Sequence, residues 1–454
     1  MKSADLLPVD PHKLGRISFS PSTDGLVDDW NIEYESGSHL ESLSRAASEL
    51  ATTSTPVAFP TETVYGLGAD ATRSSAVQAI FAAKGRPADN PLIVHIHSIP
   101  QLRSLLSPQD GSRNDATDPI PAIYKPLIQR FWPGPLTIIL PNPSPSVLAS
   151  EVTASLSTFG ARMPRSILAL ALIRLAGVPL AAPSANASTR PSPTAAEHVY
   201  DDIGTRIHTI IDGGPCEVGV ESTVVDGLSS PPTILRPGGV TVEELRRCPG
   251  WENVAVGYKD AGEVDLKPRA PGMKYRHYSP KARVVLYEAG TQAPDVQKMA
   301  EADRSVGIIR TKRWKSAAGS SGDAEMEQNN GTEINESNGT NGFVHHASDP
   351  LPPAGSDQIS SQRANLLQSL TQHQVPHASH INTSGSLDIW EIDLGPDTKG
   401  VARGLFSALR ELDKKGVSVI LVEGIDDTVG DDIAAAVMNR LRKAAESRIK
   451  LDGE

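Results

Sequence analysis

The stretch VAFPTETVYGLG occupies residues 57–68 and joins an apolar run to a set of small and hydroxyl-bearing residues. Its first three residues, Val57, Ala58 and Phe59, predict a short buried strand. The motif PTETVYGLG begins at the exit of that strand. Just upstream, residues 40–50 carry apolar side chains at helical spacing, which predicts a helix before the strand. The stretch therefore marks a strand end that carries polar side chains.

Strand and helix patterns alternate from this stretch to about residue 245. Strand-like runs lie at residues 92–96, 136–140, 158–163, 178–182, 207–211, 223–225 and 233–235, and helical patterns at residues 76–84, 123–131 and 167–176. Connectors such as WPGP (residues 132–135) and DGGP (residues 212–215) are typical of tight turns that line a cleft. The alternation predicts an α/β domain with an extensive, mixed and twisted sheet.

A second, smaller alternating region follows. It has strand patterns at residues 283–287, 306–309, 388–394 and 417–422 and helical patterns at residues 400–415 and 431–447. From about residue 315 to residue 386 the chain is rich in Ser, Gly, Asn, Glu and Gln, with too few large apolar residues to offset the entropy of ordering. This segment is predicted to be a disordered insertion, with a short helix at residues 362–372. Residues 1–37 are predicted to be mostly a tail, apart from an edge strand at residues 30–34.

Three short polar runs together predict a nucleotide site. They are PTETVYGLG (residues 60–68), KGRP (residues 84–87) and PSAN (residues 183–186). Lys84 and Arg86 supply positive charge, and the small residues and prolines around them let a polyanion approach the backbone. Ser184 and Asn186 supply hydrogen-bond donors beyond the end of a predicted strand, where open α/β sheets bind ligands. The P-loop pattern GxxxxGK[ST] is absent from the sequence.

These runs are followed by SPT (residues 192–194), GVEST (residues 219–223) and LRPG (residues 235–238), and the six in this order closely resemble the threonylcarbamoyl-AMP synthase family. The resemblance implies a YrdC-like catalytic domain, with a twisted mixed sheet and helices, at residues 38–245. A linker or lid at residues 246–280, containing APGMKYRHYSP, and a second, Rossmann-like α/β domain at residues 281–454 would follow. Residues 1–37 are left as the N-terminal tail.

The resemblance implies a reaction in which L-threonine, bicarbonate or CO2, and ATP give threonylcarbamoyl-AMP and pyrophosphate. The product would supply threonylcarbamoyladenosine next to the anticodon of tRNA, after hand-off to other proteins that carry out the transfer. ATP would enter with Mg²⁺ held largely by its phosphates, and no tightly bound cofactor is expected. The sequence shows no Ser-His-Asp, Cys-His or paired-carboxylate motif, which suits a reaction that needs proximity and neutralisation of phosphate charge.

The resemblance also implies the site residues. Lys84 and Arg86 are the candidate catalytic residues, because they would grip the ATP phosphates. The candidate ATP-binding residues are Lys84, Arg86, Thr158, Ser184, Asn186, Ser192, Arg236, Arg276 and His277. The candidate threonine-binding residues are Thr61, His95, Arg162, Ala182 and Ser222, with Arg162 holding the carboxylate. No metal ligand is assigned.

Several of these residues have other interpretations. Arg162 stands in an apolar strand, where a guanidinium must meet an anion, and an ion pair with Glu221 or Asp212 would serve equally. His95 and His97 form an HxH pattern that can bind a metal, but a third ligand at fitting spacing is missing. The run KYRHY (residues 274–278) is either a lid over the site or an RNA-binding segment.

Composition limits the other function classes. The net charge of 43 − 54 = −11 opposes binding of a phosphate backbone, so RNA contact is possible only locally. Two cysteines without a CxxC pattern support neither a disulfide framework nor a zinc module. No apolar run is long enough to span a membrane, and the first residues lack a signal-peptide core, so the sequence predicts a cytoplasmic protein and leaves a mitochondrial pool open.

Two rival functions stay open at this point. One is adenylation of another carbamoyl donor, as YrdC-like domains do in hydrogenase-maturation proteins, although the zinc-finger cysteines and acylphosphatase-like segment of those proteins are absent here. The other is a non-enzymatic translation factor that binds RNA through the KYRHY run. Pyrophosphate release that depends on threonine separates both from the synthase.

Overall fold

The computed structural model describes residues 3–19, 26, 30–107, 118–258, 277–296, 305–317, 375–381, 387–428 and 432–451. Strands and helices are numbered here in chain order. The helices are α1 (Ser38–Thr52), α2 (Ser74–Lys84), α3 (Ile99–Leu106), α4 (Lys125–Phe131), α5 (Ser150–Thr153), α6 (Ile167–Ala176), α7 (Ala196–Ile203), α8 (Val242–Arg246), α9 (Thr398–Lys414) and α10 (Asp432–Ala444).

An eleven-stranded mixed sheet forms the first domain. From edge to edge it contains β1 (Asp5–Pro8), β10 (Thr209–Asp212), β4 (Val57–Pro60), β5 (Tyr65–Asp70), β9 (Leu180–Ala181), β6 (Ile93–His95), β8 (Thr158–Arg162), β7 (Leu136–Pro141), β11 (Thr223–Asp226), β12 (Thr233–Arg236) and β13 (Ala255–Val256). Parallel and antiparallel pairs alternate irregularly across it, as in the parallel pair β6 and β8 and the antiparallel pair β7 and β8. The predicted mixed α/β sheet is confirmed.

A six-stranded sheet forms the second domain. Its order is β16 (Ser379–Ile381), β17 (Asp388–Asp393), β15 (Ser305–Arg310), β18 (Val419–Glu423), β14 (Arg283–Tyr287) and β19 (Ser447–Ile449), with β16 antiparallel and the other strands parallel. Helices α9 and α10 pack together on this sheet, as the crossovers between parallel strands require. The predicted second α/β domain is therefore also observed.

Helix α6 shows why this sequence folds as it does. Its sequence, ILALALIRLA, places eight buried side chains around nearly the whole helix, as expected for one packed between the sheet and α1. Ser166 begins the helix by accepting a hydrogen bond from the Ala169 amide. Gly177, with φ of 69°, ends it in the left-handed conformation that glycine adopts without steric cost. The burial of α6 fixes the position of the strands that carry the site.

The N-terminal residues are not simply a tail. β1 pairs in parallel with β10 at the edge of the large sheet, and a two-stranded ribbon of β2 (Gly15–Phe19) and β3 (Trp30–Tyr34) lies beside it. Trp30 is fully buried, and its indole donates a hydrogen bond to the His97 carbonyl over 2.7 Å. β1 has only four residues, of which one is buried, so its pattern is too short to reveal a strand without its neighbour.

The predicted insertion also contains an ordered element. β16 lies within residues 315–386 and pairs with β17, while residues 318–374 and 382–386 lie outside the described residues, as does the predicted helix at 362–372. The linker residues 259–276 are also outside them, and these include Arg276. The helix predicted at residues 400–415 is observed as α9, and Asp397 caps its start by accepting a hydrogen bond from the Gly400 amide over 2.8 Å.

Candidate active site

A pocket lies where strand ends and loops of the first sheet meet the residues that lead into the second domain. Its cavity has a volume of about 50 Å³, enough for only a few water-sized molecules. The wall combines arginines, hydroxyl groups and two histidines with a few small apolar side chains. It consists of Thr61, Thr63, Val64, Gly66, Arg86, Ile93, His95, Arg162, Ala182, Pro183, Ser184, Glu221, Ser222, Arg236, His277 and Tyr278.

Strand register brings the wall together. β6 and β8 run parallel, and their pairing sets His95 beside Arg162 at the strand ends. Thr61 stands in the tight turn between β4 and β5, as the motif PTETVYGLG predicts. Ser184 follows the short strand β9 and forms a bridge with Gly66 of β5. Side chains far apart in the sequence therefore share one cavity.

The Arg162 guanidinium is held rigidly in the pocket wall. Its Nε donates to the Gly134 carbonyl over 3.2 Å, its Nη1 to Thr63 Oγ1 over 2.9 Å and its Nη2 to Glu62 Oε1 over 2.6 Å. Both charged side chains of this ion pair are almost completely buried. Three of the five guanidinium N–H donors are used in these bonds, which leaves two for a ligand.

Glu62 is thus the ion-pair partner of Arg162, and the alternative partners Glu221 and Asp212 are wrong. Burial works to raise the pKa of the Glu62 carboxyl, but Arg162 and Arg165 outweigh burial and lower it. Glu62 therefore stays ionised. Glu62 is part of the motif PTETVYGLG, but the motif alone does not predict its role. Nothing local to the motif shows that the turn directs the carboxylate inwards.

Arg236 and Ser222 form a second part of the wall. The Nε and Nη2 atoms of Arg236 donate to the Ser222 carbonyl over 3.0 and 2.9 Å, and Nη2 also reaches Ser222 Oγ at 3.1 Å. Ser222 Oγ lies 2.8 Å from Thr137 Oγ1. Burial lowers the pKa of Arg236, an effect that the neighbouring Glu221 carboxylate opposes. The guanidinium is fixed against the backbone beside the cavity.

The Glu221 carboxylate lies between the two domains. It accepts a hydrogen bond from Ser192 Oγ over 2.5 Å through Oε1 and one from Arg440 Nε over 3.1 Å through Oε2. Burial works to raise the pKa of this carboxyl, but Arg440 and then Arg236 outweigh burial and hold it at about 2. Glu221 is therefore an anion inside a pocket rich in cations.

Lys84 stands just behind the pocket wall. Its Nζ donates to the carbonyls of Ser184 and Asn186 over 2.5 and 2.6 Å, with Asn186 Oδ1 at 3.5 Å. Ser184 Oγ in turn donates to Asn186 Oδ1 over 2.5 Å. Burial and the nearby Arg86 lower the pKa of Lys84 well below its ordinary value. In this conformation the ammonium group holds the PSAN loop.

Three polar atoms of the lining have no hydrogen-bond partner among the described residues. They are Arg86 Nε, His95 Nδ1 and His277 Nδ1, and all three are buried. Burial, reinforced by neighbouring cations, lowers the pKa of His95 and of His277 to about 3, so both rings are neutral near pH 7. Because buried polar groups are normally paired, these atoms are available to water or to a polar ligand.

Tyr278 connects the pocket to the second domain. Its ring lies 5.1 Å from that of Phe406 in α9 and 4.3 Å from that of His277, measured between centroids. Burial and the Glu221 carboxylate raise the pKa of its phenol to about 12, so the hydroxyl keeps its proton. The end of the predicted linker is therefore packed into the site.

The structure brings together nine of the residues expected from the sequence. The pocket is lined by Thr61, Arg86, His95, Arg162, Ala182, Ser184, Ser222, Arg236 and His277. Lys84 and Asn186 support the loop behind the wall, and Ser192 reaches the wall through Glu221. Arg276 lies outside the described residues.

Thr158 does not join this group. It begins β8, opposite Pro141, whereas Arg162 ends the strand. With a rise of about 3.3 Å per residue, the two positions are separated by roughly 13 Å. A strand keeps both side chains on one face but not at one end, so Thr158 is not part of the cavity wall, and its contact with ATP stays a prediction.

Within the part of the chain that the structure describes, no group of three or more His, Cys, Asp and Glu side chains could hold a metal ion. His95 instead lies beside Arg162 in the pocket wall. In the same described ranges, none of the helices is long and apolar enough to cross a membrane.

Two family models match the chain. Residues 50–238 match the model described as telomere recombination, of the Sua5, YciO and YrdC proteins. Residues 240–446 match the model described as threonylcarbamoyl-AMP synthase, C-terminal domain. The boundary between the two matches falls just after β12, before α8 and before β13, the last strand of the first sheet.

Relatives of the whole chain and of part of it bear related names. A threonylcarbamoyl-AMP synthase of Schizosaccharomyces pombe is 41% identical over 89% of this chain and 88% of its own length. One of Bacillus subtilis is 40% identical over 87% of this chain and 90% of its own length. A putative threonylcarbamoyl-AMP synthase of Mycobacterium tuberculosis is 38% identical over 44% of this chain and 86% of its own length.

A solved structure is similar along the whole chain. The crystal structure of the Pyrococcus abyssi protein Sua5 in complex with L-threonine superposes with a TM-score of 0.67 and 33% sequence identity. It covers 99% of this chain and 100% of the other. The arrangement of the two domains is therefore shared with a protein that has been crystallised with an amino acid.

Proposed function

The chain belongs to the threonylcarbamoyl-AMP synthase family, and we propose that its pocket joins L-threonine, bicarbonate or CO2, and ATP into threonylcarbamoyl-AMP and pyrophosphate. This family makes threonylcarbamoyl-AMP for the threonylcarbamoyladenosine modification of tRNA. The observation that carries the proposal is a cavity in which three arginines, two neutral histidines and several hydroxyl groups converge, with buried polar atoms left for a ligand. Such a wall suits two anionic substrates that meet at one point.

We propose that Arg162 binds the threonine carboxylate with the two N–H donors that remain after its bonds to Gly134, Thr63 and Glu62. Glu62 fixes the orientation of the guanidinium, so little side-chain freedom is lost on binding. The neutral His95 ring and the small Ala182 side chain complete this part of the wall. A ring with a pKa of about 3 is a weak base, so His95 is assigned to binding rather than to proton transfer.

ATP would occupy the side of the pocket formed by Arg86, Arg236 and Ser184. The two guanidinium groups would face developing phosphate charge, and Arg86 Nε, which has no hydrogen-bond partner in the described part of the chain, is available to an oxygen. Mg²⁺ would arrive with ATP and be held by the phosphates. Lys84 would act through the PSAN loop that it holds, because its short bonds go to loop carbonyls.

The reaction then needs two bond-forming steps. The neutral threonine amine attacks the carbon of CO2 and releases a proton, or attacks bicarbonate with loss of water, and gives a carbamate. A carbamate oxygen attacks the α-phosphorus of ATP, and pyrophosphate leaves with the electrons of the broken P–O bond. The protein residues hold the three substrates in line and neutralise charge, which accounts for large rate accelerations without a side-chain nucleophile.

The pocket must enlarge before ATP enters. Its present volume of about 50 Å³ is far below the ~300 Å³ at which ligand pockets usually begin. His277 and Tyr278 form part of the wall at the end of the linker, so we propose that their displacement opens the site, in keeping with a lid. The product would pass to separate tRNA-modifying proteins, and we propose a cytoplasmic location for this hand-off.

The full-length protein tests the proposal directly. It is incubated with MgATP, labelled bicarbonate and each amino acid in turn, and labelled adenylate and pyrophosphate are measured. We expect both products with L-threonine and neither with L-valine, which lacks the hydroxyl group. Pyrophosphate release without threonine, or labelled adenylate with several amino acids, would contradict the proposed function.

A further inference from the structure

Arg440 extends from the second domain to the wall of the pocket in the first. It lies in α10 and its side chain has no exposed surface. Its Nε donates to Glu221 Oε2 over 3.1 Å, and its Nη1 donates to the Pro237 carbonyl over 2.5 Å. Pro237 directly follows Arg236. The bound atoms therefore belong to the two segments that supply Glu221 and Arg236 to the pocket.

Without a cationic partner, the Glu221 carboxylate would weaken the binding of ATP in this pocket. It lines a cavity in which a triphosphate is to bind, and a buried carboxylate repels such a ligand strongly because solvent does not screen it. Ser192 donates one hydrogen bond to it but carries no charge. Among the described residues, Glu221 forms an ion pair with Arg440, whose Nε lies 3.1 Å from Glu221 Oε2.

We propose that Arg440 is a positioning residue of the synthase reaction: it fixes the Glu221 carboxylate and cancels its charge, so that the pocket accepts ATP. Arg440 touches neither the cavity nor the reacting atoms, and it acts through Glu221. In this way the second domain contributes to the binding of a substrate whose other candidate contacts lie in the first domain and the linker. The inference rests on the proposed function, because it assumes that ATP binds beside Glu221.

A purely structural role for Arg440 would be to dock the two domains. Other buried contacts already do so. Arg410 of α9 forms an ion pair with Asp202 over 2.6 Å, and Ser407 Oγ lies 2.7 Å from Thr194 Oγ1. Val220 also packs in the apolar core of the second domain. Docking therefore has several supports that do not involve Glu221.

The two roles are separated by a charge-rescue experiment on the full chain. Arg440→Met leaves Glu221 charged and unpaired, and we expect the KM for ATP to rise at least about tenfold, since a charge at close range in a poorly screened site is worth that much. Glu221→Gln removes the charge and keeps the shape. We expect Arg440→Met combined with Glu221→Gln to return the KM for ATP to within about threefold of Glu221→Gln alone.

Two further variants act as controls. Arg403→Met removes another hydrogen bond between the domains, from Arg403 Nε to the Glu217 carbonyl, and should leave the KM for ATP within about twofold of wild type. Arg440→Lys keeps the charge and loses the fork geometry, so its KM should lie between those of wild type and Arg440→Met. This variant keeps the test usable if Arg440→Met does not fold.

The outcomes are distinct. A double variant that is no better than Arg440→Met, or an equal rise in KM for Arg403→Met, would show that Arg440 only docks the domains. An Arg440→Lys enzyme as poor as Arg440→Met would likewise contradict cancellation of charge. If the wild-type protein makes no threonylcarbamoyl-AMP, the proposed function fails instead, whatever the variants do.

Discussion

Arg162 Nη2 and Glu62 Oε1 lie 2.6 Å apart in the floor of the pocket, and both side chains are almost completely buried. Glu62 leaves the turn between two strands and Arg162 ends a third, so the pair ties separate parts of the sheet together. Because the same guanidinium also holds Thr63 and the Gly134 carbonyl, its orientation is set before any substrate binds. If Arg162 binds the threonine carboxylate as proposed, one ion pair serves both the stability of the fold and the binding of substrate.

Glu62→Ala should destabilise the protein strongly. Removal of one partner of a buried ion pair leaves an uncompensated charge and typically costs about 3–5 kcal/mol. We therefore expect the free energy of unfolding, measured by urea titration, to fall by at least ~3 kcal/mol. Arg246→Ala breaks the exposed pair with Glu243 and serves as the control, with a loss below about 1 kcal/mol. Equal losses in the two variants would contradict the structural role of Glu62.

Arg162→Lys should weaken the binding of threonine much more than that of ATP. Lysine keeps the charge but cannot donate to Thr63, Glu62 and a carboxylate in one plane. We expect the KM for threonine to rise at least about tenfold, corresponding to ~1.4 kcal/mol, with the KM for ATP within about threefold. Steady-state kinetics with each substrate varied in turn measure both values. A larger effect on ATP would place the carboxylate elsewhere.

Lys84→Met should affect both the loop and the reaction. The loop carbonyls of Ser184 and Asn186 would lose their buried donor, at a cost of about 1–3 kcal/mol in the free energy of unfolding. We also expect kcat/KM for ATP to fall at least about a hundredfold, because the PSAN loop forms part of the ATP side of the pocket.

The control for this prediction is Lys125→Met, which removes a partly exposed lysine paired with Asp118. It should change the free energy of unfolding by less than about 1 kcal/mol and leave kcat/KM unaltered. Loss of activity in Lys84→Met with unchanged stability would instead mean that the lysine binds phosphate directly and does not support the loop.

The free energy of unfolding should decrease in acid because Glu221 becomes protonated. Its folded pKa of about 2 lies below the ordinary value of 4.5, so the unfolded chain binds the proton more readily. The stabilisation is complete above pH 4.5 and is lost as the pH falls towards 2, by up to about 3 kcal/mol. Urea unfolding at pH 5 and pH 3 should show a steeper loss for wild type than for Glu221→Gln. Parallel losses in the two proteins would contradict the depressed pKa.

The sequence predicts the elements best where an apolar pattern is long. Helix α6 is observed with the bounds that its pattern predicts, and α2 begins two residues before the predicted position. Strand β5 is missed because YGLGAD directly follows a turn and contains two glycines, which are unfavourable in strands. Strand β9 has two residues where five were expected, since the proline of PSAN ends it.

The site is predictable only in part, for a related reason. The motifs identify charged side chains that can bind a ligand, such as Arg86 and Arg236, and the structure brings these to one cavity. The motifs do not identify the residues that pair with these side chains. Arg440 is 219 positions from Glu221 and belongs to a different domain, so no local pattern connects the two residues. Thr158 lies outside the six motifs and at the opposite end of β8 from Arg162, so the motifs do not fix its place relative to the cavity.

Val64 and Val220 have a consequence for how proteins of this kind diverge. Both belong to loops of the first domain, yet they are buried in the apolar core of the second. The mycobacterial relative matches 44% of this chain over 86% of its own length, and a protein without the second domain would expose these two positions to water. We expect natural selection to favour polar residues at these positions in proteins that lack the second domain. The residue types at positions 64 and 220 would then show whether an ancestor carried that domain.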